Sequence, residues 1–169
     1  MAESWRTRLM RWRFNWFPAY RGTGGRITYI ADDWREVRVR LPLSWRTRNY
    51  VGTTFGGSMY GAVDPVYMIM LIQCLGPAFV VWDKAASIRF RRPGRGTLHA
   101  TFRLDNAVLD AIREAVAAEG RVEWRFTVDL TDRSGEIHAS CEKLLSVRRR
   151  RVDADDRAGP ARPPSTSTS

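Results

Sequence analysis

Residues 48–68 read RNYVGTTFGGSMYGAVDPVYM, and the architecture of the chain turns on how this run is parsed. Two adjacent glycines, Gly56 and Gly57, and a lone Asp64 sit among small, aromatic and apolar residues such as Met59, Tyr60, Val63, Tyr67 and Met68. A carboxylate in such company is costly unless it is paired, hydrogen-bonded or in use. Two parses compete. In the first, Asp64 caps a helix that starts at Pro65, since Asp-Pro is a good N-cap and first-turn pair. Residues 57–63 would then be a loop of Ser, Met, Tyr, Gly, Ala and Val, which is poor loop chemistry. In the second, the helix begins at Gly57, and Pro65, unable to donate to the Gly61 carbonyl, kinks it. Local chemistry weighs the two about evenly.

Under the second parse residues 57–75 are apolar on nearly every side, which predicts a helix enclosed all round by sheet. The flanking sequence supplies that sheet. RITYI and REVRVRLPL flank a turn at Asp32-Asp33, with Val37, Val39 and Leu41 on one face and Arg38 and Arg40 on the other, the period of two that marks a half-buried hairpin. AFVVWDKAASIRF follows as a strand, and TLHATFRL as another beyond the turn-forming Pro93, Gly94 and Gly96. NAVLDAIREAVAAEG predicts a helix with Asp105 or Asn106 as N-cap and Gly120 just past its end. RVEWRFTVDL and EIHASCEKLLSV close the domain as a hairpin. The order is strand, strand, helix, strand, strand, helix, strand, strand: an α+β class with one curved antiparallel sheet of about six strands round a central helix.

Outside residues 23–147 the composition shifts. Residues 5–17 interleave Arg with Trp, Leu, Met and Phe and end at Pro18. They predict, within residues 1–22, an amphipathic helix that packs on the domain through Trp5, Leu9, Trp12 and Trp16; a membrane-surface anchor is the competing reading. Residues 148–169, four consecutive Arg and then GPARPPSTSTS near the end, have no means of burying area and are expected to be disordered. The formal charge of +10 over 169 residues divides as +4 in residues 1–22, +3 in 148–169 and +3 between them. The folded middle is thus only mildly basic. The excess of Arg over Lys, 26 to 2, reads as codon bias more than as nucleic-acid recognition.

Cys74 and Cys141 have no Cys-x-x-Cys spacing and fit a reduced, cytoplasmic protein. The N-terminus lacks the apolar core of a signal peptide. VYMIMLIQCLGPAFVVW, residues 66–82, is divided by Gln73 and Gly76-Pro77 below the about 20 residues a bilayer needs, so no stable membrane insertion is expected. His99 and His138 fall at polar strand positions, and no His, Cys and carboxylate cluster shows metal-ligand spacing.

Asn49, Gly52, Phe55-Gly56-Gly57 and Asp64 fall at the spacings of the motif of hotdog-fold acyl-CoA thioesterases of the phenylacetyl-CoA thioesterase type, in which Asn, Gly, His-Gly-Gly and a catalytic Asp occur in that order. SIRFRRPGRGTLHATFRL and VDLTDRSGEIHASCEKLLSV resemble further strand pairs of that superfamily. FPAYRGTGGRITYIADDWREVRVRLPL, with WDK and the helix at 105–119, looks most like a poorly characterised subgroup. The resemblance spans residues 14–150 and favours the helix that starts at the glycines. Phe55 stands where most relatives carry His, which in the family mostly shapes the turn.

The resemblance implies a hotdog fold and an acyl-CoA substrate cleaved to free acid and coenzyme A with no added cofactor. Backbone N–H groups at Gly56 and Gly57 would stabilise an oxyanion, and Asp64 would act as general base or nucleophile. Phe55 belongs to the same substrate-binding turn. Asn49 would orient water or merely shape a turn. Asp83 would assist where relatives carry Ser or Thr, or pair with Lys84. Arg91, Arg92 and Arg95 would meet the coenzyme A phosphates or remain a solvated basic turn. The family pattern implies a homodimer or homotetramer, with Asp64 of one chain facing the glycine turn of another. A non-catalytic acyl-CoA or lipid-binding module is the alternative. Nucleic-acid binding through the Arg-rich ends is a further one and is not the expectation. No Asp-x-x-x-x-His pair of a hotdog dehydratase follows the helix start.

Overall fold

The computed structural model describes residues 3–150. The chain runs α1 (Trp5–Trp16), α2 (Pro18–Thr23), β1 (Arg26–Ile30), β2 (Glu36–Leu41), α3 (Gly56–Val63), α4 (Val66–Leu75), β3 (Phe79–Phe90), β4 (Leu98–Arg103), α5 (Asn106–Glu119), β5 (Arg121–Thr131) and β6 (Ile137–Arg149). The expected disordered tail began too early, since Arg148 and Arg149 pair with Val80 and Phe79 as the end of β6; its residues from 151 on lie outside the described residues.

The six strands form one curved antiparallel sheet in the order β1-β2-β4-β5-β6-β3. Period-two alternation sets its inner face: Val37, Val39 and Leu41 of β2 and Ala139, Cys141, Leu145 and Val147 of β6 are all buried. The β4–β5 seam is thin, a single ladder pair between His99 and Thr131, whereas β5 and β6 pair from Arg121–Arg148 to Thr131–Ile137. The long β3 pairs on one side with β6 and ends the sheet on the other.

The structure decides between the two parses of the central run. The helix starts at Gly56, Asp64 donates its backbone N–H to the Tyr60 carbonyl at 2.9 Å, and Asp64 itself is helical at φ −50°, ψ −56°. Pro65 breaks the ladder and α4 resumes beyond it, its Ile69 N–H reaching the Pro65 carbonyl at 3.1 Å. Asp64 is therefore the residue at a proline kink, not the cap of a new helix.

The helix is not enclosed all round. Its inner side, including Ala62, Val63, Met70 and Leu71, is buried against the sheet, while Tyr60, Met68 and Ile69 are half-buried and Ile72 is exposed. The short α2 covers part of this outer side: the Tyr20 hydroxyl donates to the Ala62 carbonyl at 3.0 Å. Gly25 lets β1 approach, since a Cβ there would lie 2.8 Å from the Ala62 Cβ. Taken as one run, Gly56–Leu75 is long and apolar enough to cross a bilayer, but half of it is buried inside the domain.

The N-terminal helix reverses its expected orientation. It is docked through Thr7, Phe14 and Asn15; the Asn15 amide bonds both the N–H of Ile27 at 2.8 Å and its carbonyl at 2.9 Å. Phe14 meets Trp34 edge-on, with ring centroids 6.5 Å apart. Trp5, Leu9, Trp12 and Trp16, expected to pack, face solvent. The polar Asn15 wins because it can serve both unpaired backbone groups of edge strand β1 at Ile27, which no apolar side chain can do. The inserted α5 behaves as its sequence predicts: Asp105 accepts from the Val108 N–H at 2.8 Å, and Gly120 at φ 76° closes the helix.

Candidate active site

Asp64 is held where the central helix kinks, and two donors converge on one of its oxygens. Tyr60, one helical turn earlier on the same face, donates its hydroxyl to Asp64 Oδ1 at 2.6 Å. Lys143 Nζ reaches the same Oδ1 at 2.5 Å and Asp83 Oδ1 at 2.9 Å. The lysine side chain is 1% exposed, against 39% for Asp64 and 30% for Asp83. A fully buried ammonium thus lies between two carboxylates that open toward solvent. Burial alone would lower the Lys143 pKa; the hydrogen bonds and charges of Asp64 and Asp83 outweigh it and push it up to about 12, so the lysine stays charged throughout the physiological range. Burial, and then the hydrogen bond to Asp64, raise the Tyr60 hydroxyl above its ordinary value. Both donors go to Oδ1, which leaves Oδ2 as the oxygen available for chemistry.

Lys143 and Tyr60 are the residues that sequence reasoning missed. The signal for Lys143 lay in the strand parity: Ala139, Cys141, Lys143, Leu145 and Val147 share the buried face of β6, and one of only two lysines in the chain at a core position demands a carboxylate partner. Asp83 pairs with Lys143 and not with its neighbour Lys84, which instead approaches Glu123 at 3.6 Å. Lys84 sits at an irregularity of the β3–β6 register, between Asp83 and Ala85, and its ammonium turns to Glu123.

The glycine turn is a second, separate feature. The Phe55 N–H donates to the Thr47 carbonyl at 2.7 Å and the Thr54 N–H to the Gly94 carbonyl at 2.8 Å, which anchors the approach to α3. That helix has no side-chain cap, and its first backbone bond runs from Met59 N–H to the Phe55 carbonyl at 3.1 Å. The amides of Gly56, Gly57 and Ser58 therefore have no acceptor within the helix. The Phe90 ring lies against Gly56 and the half-exposed Phe55 ring against Gly57, each so close that a Cβ on the glycine would clash. Asn49 turns inward on its own loop: its Nδ2 donates to Thr53 Oγ1 at 2.9 Å and its Oδ1 accepts from the Thr53 N–H at 3.0 Å.

Asn49, Gly56, Phe90, Arg91 and Arg92 line one groove of about 420 Å³. Arg91 is steadied by Ser140 at 3.0 Å and Arg92 by Glu136 at 2.9 Å; Arg95 is exposed and lines no part of it. Asp64 opens on a different groove, of about 340 Å³, among Phe17, Tyr20, Met68 and Ile69. Within one chain the structure thus joins Asp64 with Asp83 but not with Gly56 and Gly57, which lie about 10 Å away at 1.5 Å of rise per helical residue. At the β5–β6 turn, Asp132, Glu136 and His138 bring potential ligand atoms within 4.8 Å of one another, a grouping that sequence spacing did not suggest. Asp132 Oδ1 there accepts from the Ser134 N–H, the Ser134 hydroxyl and the Glu136 N–H, and His138 Nδ1 lies 3.1 Å from the Pro93 carbonyl, so these groups already serve the turn.

A central helix broken at Asp64-Pro65 and held in a curved six-stranded antiparallel sheet is the hotdog fold. PA5026 of Pseudomonas aeruginosa, of unknown function and described as a probable thioesterase, matches with a TM-score of 0.75 at 24% identity over 85% of this chain and 96% of that one. OLEI01261 of Chlorobaculum tepidum, also of unknown function, gives 0.68 at 14% identity over 85% and 94%. The Haemophilus influenzae thioesterase HI1161 gives 0.62 at 14% identity over 88% and 93%. These likenesses establish the fold. A search of curated protein sequences gives no match. Residues 6–147 match the domain of unknown function DUF4442, and the chain belongs to that family.

Proposed function

We propose that this protein hydrolyses an acyl-CoA thioester to the free acid and coenzyme A. The observation that carries the reading is the Asp64 carboxylate itself, fixed through Oδ1 by Tyr60 and Lys143 at a helix kink beside an apolar groove that Asp64 lines. Asp64 takes a proton from water as the water oxygen attacks the thioester carbon. The carbon–sulfur bond then breaks, and the departing thiolate recovers the proton. Lys143 holds Asp64 and Asp83 holds Lys143, so both act as positioning residues. The uncapped amides of Gly56 and Gly57 supply oxyanion donors, and Arg91 and Arg92 at the rim of that groove suit the phosphates of the nucleotide.

Because donors and carboxylate lie in different grooves of one chain, the complete site needs a second copy. Edge strand β3 supports that assembly: it is twelve residues long, and its positions from Trp82 to Ser87 are exposed. An unpaired edge of this length is normally covered, and pairing of β3 with its own counterpart across a two-fold satisfies it. One observation favours the silent acyl-CoA-binding module instead: the Phe55 ring lies over Gly57, where a thioester carbonyl has to approach.

Steady-state turnover of acyl-CoAs of graded chain length separates the two readings. Asp64→Asn is expected to lower kcat about 100-fold or more with the fold intact. Unchanged turnover overturns the assignment of Asp64, and saturable binding without Asp64-dependent hydrolysis establishes the module.

A further inference from the structure

We infer that α1 is a docking helix for an anionic lipid surface. At 100° per residue, Trp5, Leu9, Trp12 and Trp16 fall within an arc of about 60°, and the structure turns that arc outward: they are 74%, 49%, 58% and 56% exposed, with Phe17 beyond them at 60%. The opposite arc holds the buried Thr7 and the half-buried Phe14. The helix is thus anchored by its back and shows its apolar stripe to solvent, the reverse of a helix that serves its own core.

The charges select the occupant. Within α1 there are four arginines, Arg6, Arg8, Arg11 and Arg13, and no acidic residue; Glu3, just before it, engages Arg11 at 2.7 Å and approaches Arg8 at 3.7 Å. On the helical projection Arg6 and Arg13 flank the stripe on one side and Arg8 on the other. Indole rings in the middle with guanidinium groups along both borders match a bilayer interface, where Trp sits at the headgroup level and Arg meets anionic phosphate. A second copy of this chain would bring the same arginines against themselves. A polyanion such as RNA would take the arginines and leave a helix-length apolar stripe to water.

Placement adds a consequence that rests on the thioesterase reading, although the docking does not. Phe14 and Phe17 at the end of α1 line the same 340 Å³ groove that Asp64 opens on. Docking of α1 would hold the protein, and this groove with it, beside a membrane that carries acyl chains.

Co-sedimentation and tryptophan emission of the full-length protein with vesicles test the inference. Vesicles of phosphatidylcholine with phosphatidylglycerol are expected to bind it and shift its emission to the blue, and vesicles of phosphatidylcholine alone to bind about tenfold more weakly or less. The triple variant W5S/W12S/W16S should lose about tenfold or more of the partitioning with its thermal melt unchanged, because the three side chains support no core. Arg6→Glu with Arg13→Glu, which leaves the stripe intact, should bring binding to mixed vesicles down to the level of phosphatidylcholine alone. Failure of the wild-type protein to bind mixed vesicles overturns the inference. So does undiminished binding by the serine variant, which would assign the binding to the basic C-terminal residues. A lower mass of the serine variant by light scattering overturns it as well, since the stripe would then lie between copies.

Discussion

Met70 and Leu71 in α4, and Trp12 and Trp16 in α1, are all apolar side chains at helical spacing, yet the first pair is fully buried while the second pair is more than half exposed. What separates them is the surroundings. The α3–α4 run crosses the concave side of a curved sheet whose strands present Val39, Leu41, Cys141 and Leu145 to it, so burying its apolar face is favourable by about 25 cal/mol per Å². The α1 helix meets the sheet at its edge, where the backbone groups of β1 require hydrogen bonds. Asn15 supplies them at Ile27 and turns the tryptophans away. An apolar stripe on a helix therefore reports a need for a partner, and which partner depends on what the neighbouring element lacks.

Substitutions can break or sharpen that contrast. The largest effect is expected at Lys143, whose buried ammonium joins the central helix to β3 through Asp64 and Asp83. Lys143→Ala should cost about 3 kcal/mol in urea denaturation, the lower end for breaking a buried pair because the two carboxylates are partly solvated. A cost below about 1 kcal/mol would mean the network is not a structural tie. Next, Leu71→Ala empties a fully buried position and should cost about 2–3 kcal/mol, the lower end for such a deletion.

The alkaline limb of stability should show the same network on a smaller scale. The Lys143 pKa lies above its ordinary value of 10.5, at about 12 in the folded protein. Its contribution is therefore fully present below pH 10.5 and is lost as pH rises through 12. Buried Tyr67, pushed up to about 12 chiefly by burial, works in the same direction, because the unfolded chain ionises first. Melting temperature followed to high pH should fall over this window, and less steeply in Lys143→Met. An identical slope in that variant would remove Lys143 from the account.

The smallest effect is expected at Trp12→Ala, within about 0.5 kcal/mol. If Trp12→Ala and Leu71→Ala destabilise alike, α1 is packed after all and the contrast between the two helices fails.

Most of the elements were legible because each rests on local chemistry. The alternation of β2 and β5, the cap at Asp105, the αL closure at Gly120 and the Asp32-Asp33 turn all require only neighbours within a few residues. The glycine turn and Asp64 were legible through a motif, which located them without showing that they occupy separate grooves. Lys143 was overlooked although its parity on β6 placed it inward, because Asp64 is 79 residues away in sequence and nothing local announces that pairing.

By itself, then, the sequence determined the class of the fold, the order of its strands and of every helix but the short α2, and the apolar stripe of α1, since periodicity and capping are properties of short windows. Only the tertiary structure decided that the central helix runs unbroken in direction to Asp64 before Pro65 kinks it, that Tyr60 and Lys143 hold the carboxylate by one oxygen, and that the α1 stripe faces outward. Each of these depends on which surfaces remain after distant strands have paired. A stripe or a charge states what it needs, and the partner that satisfies it is chosen by the sheet edge, the kink and the core that long-range pairing brings beside it.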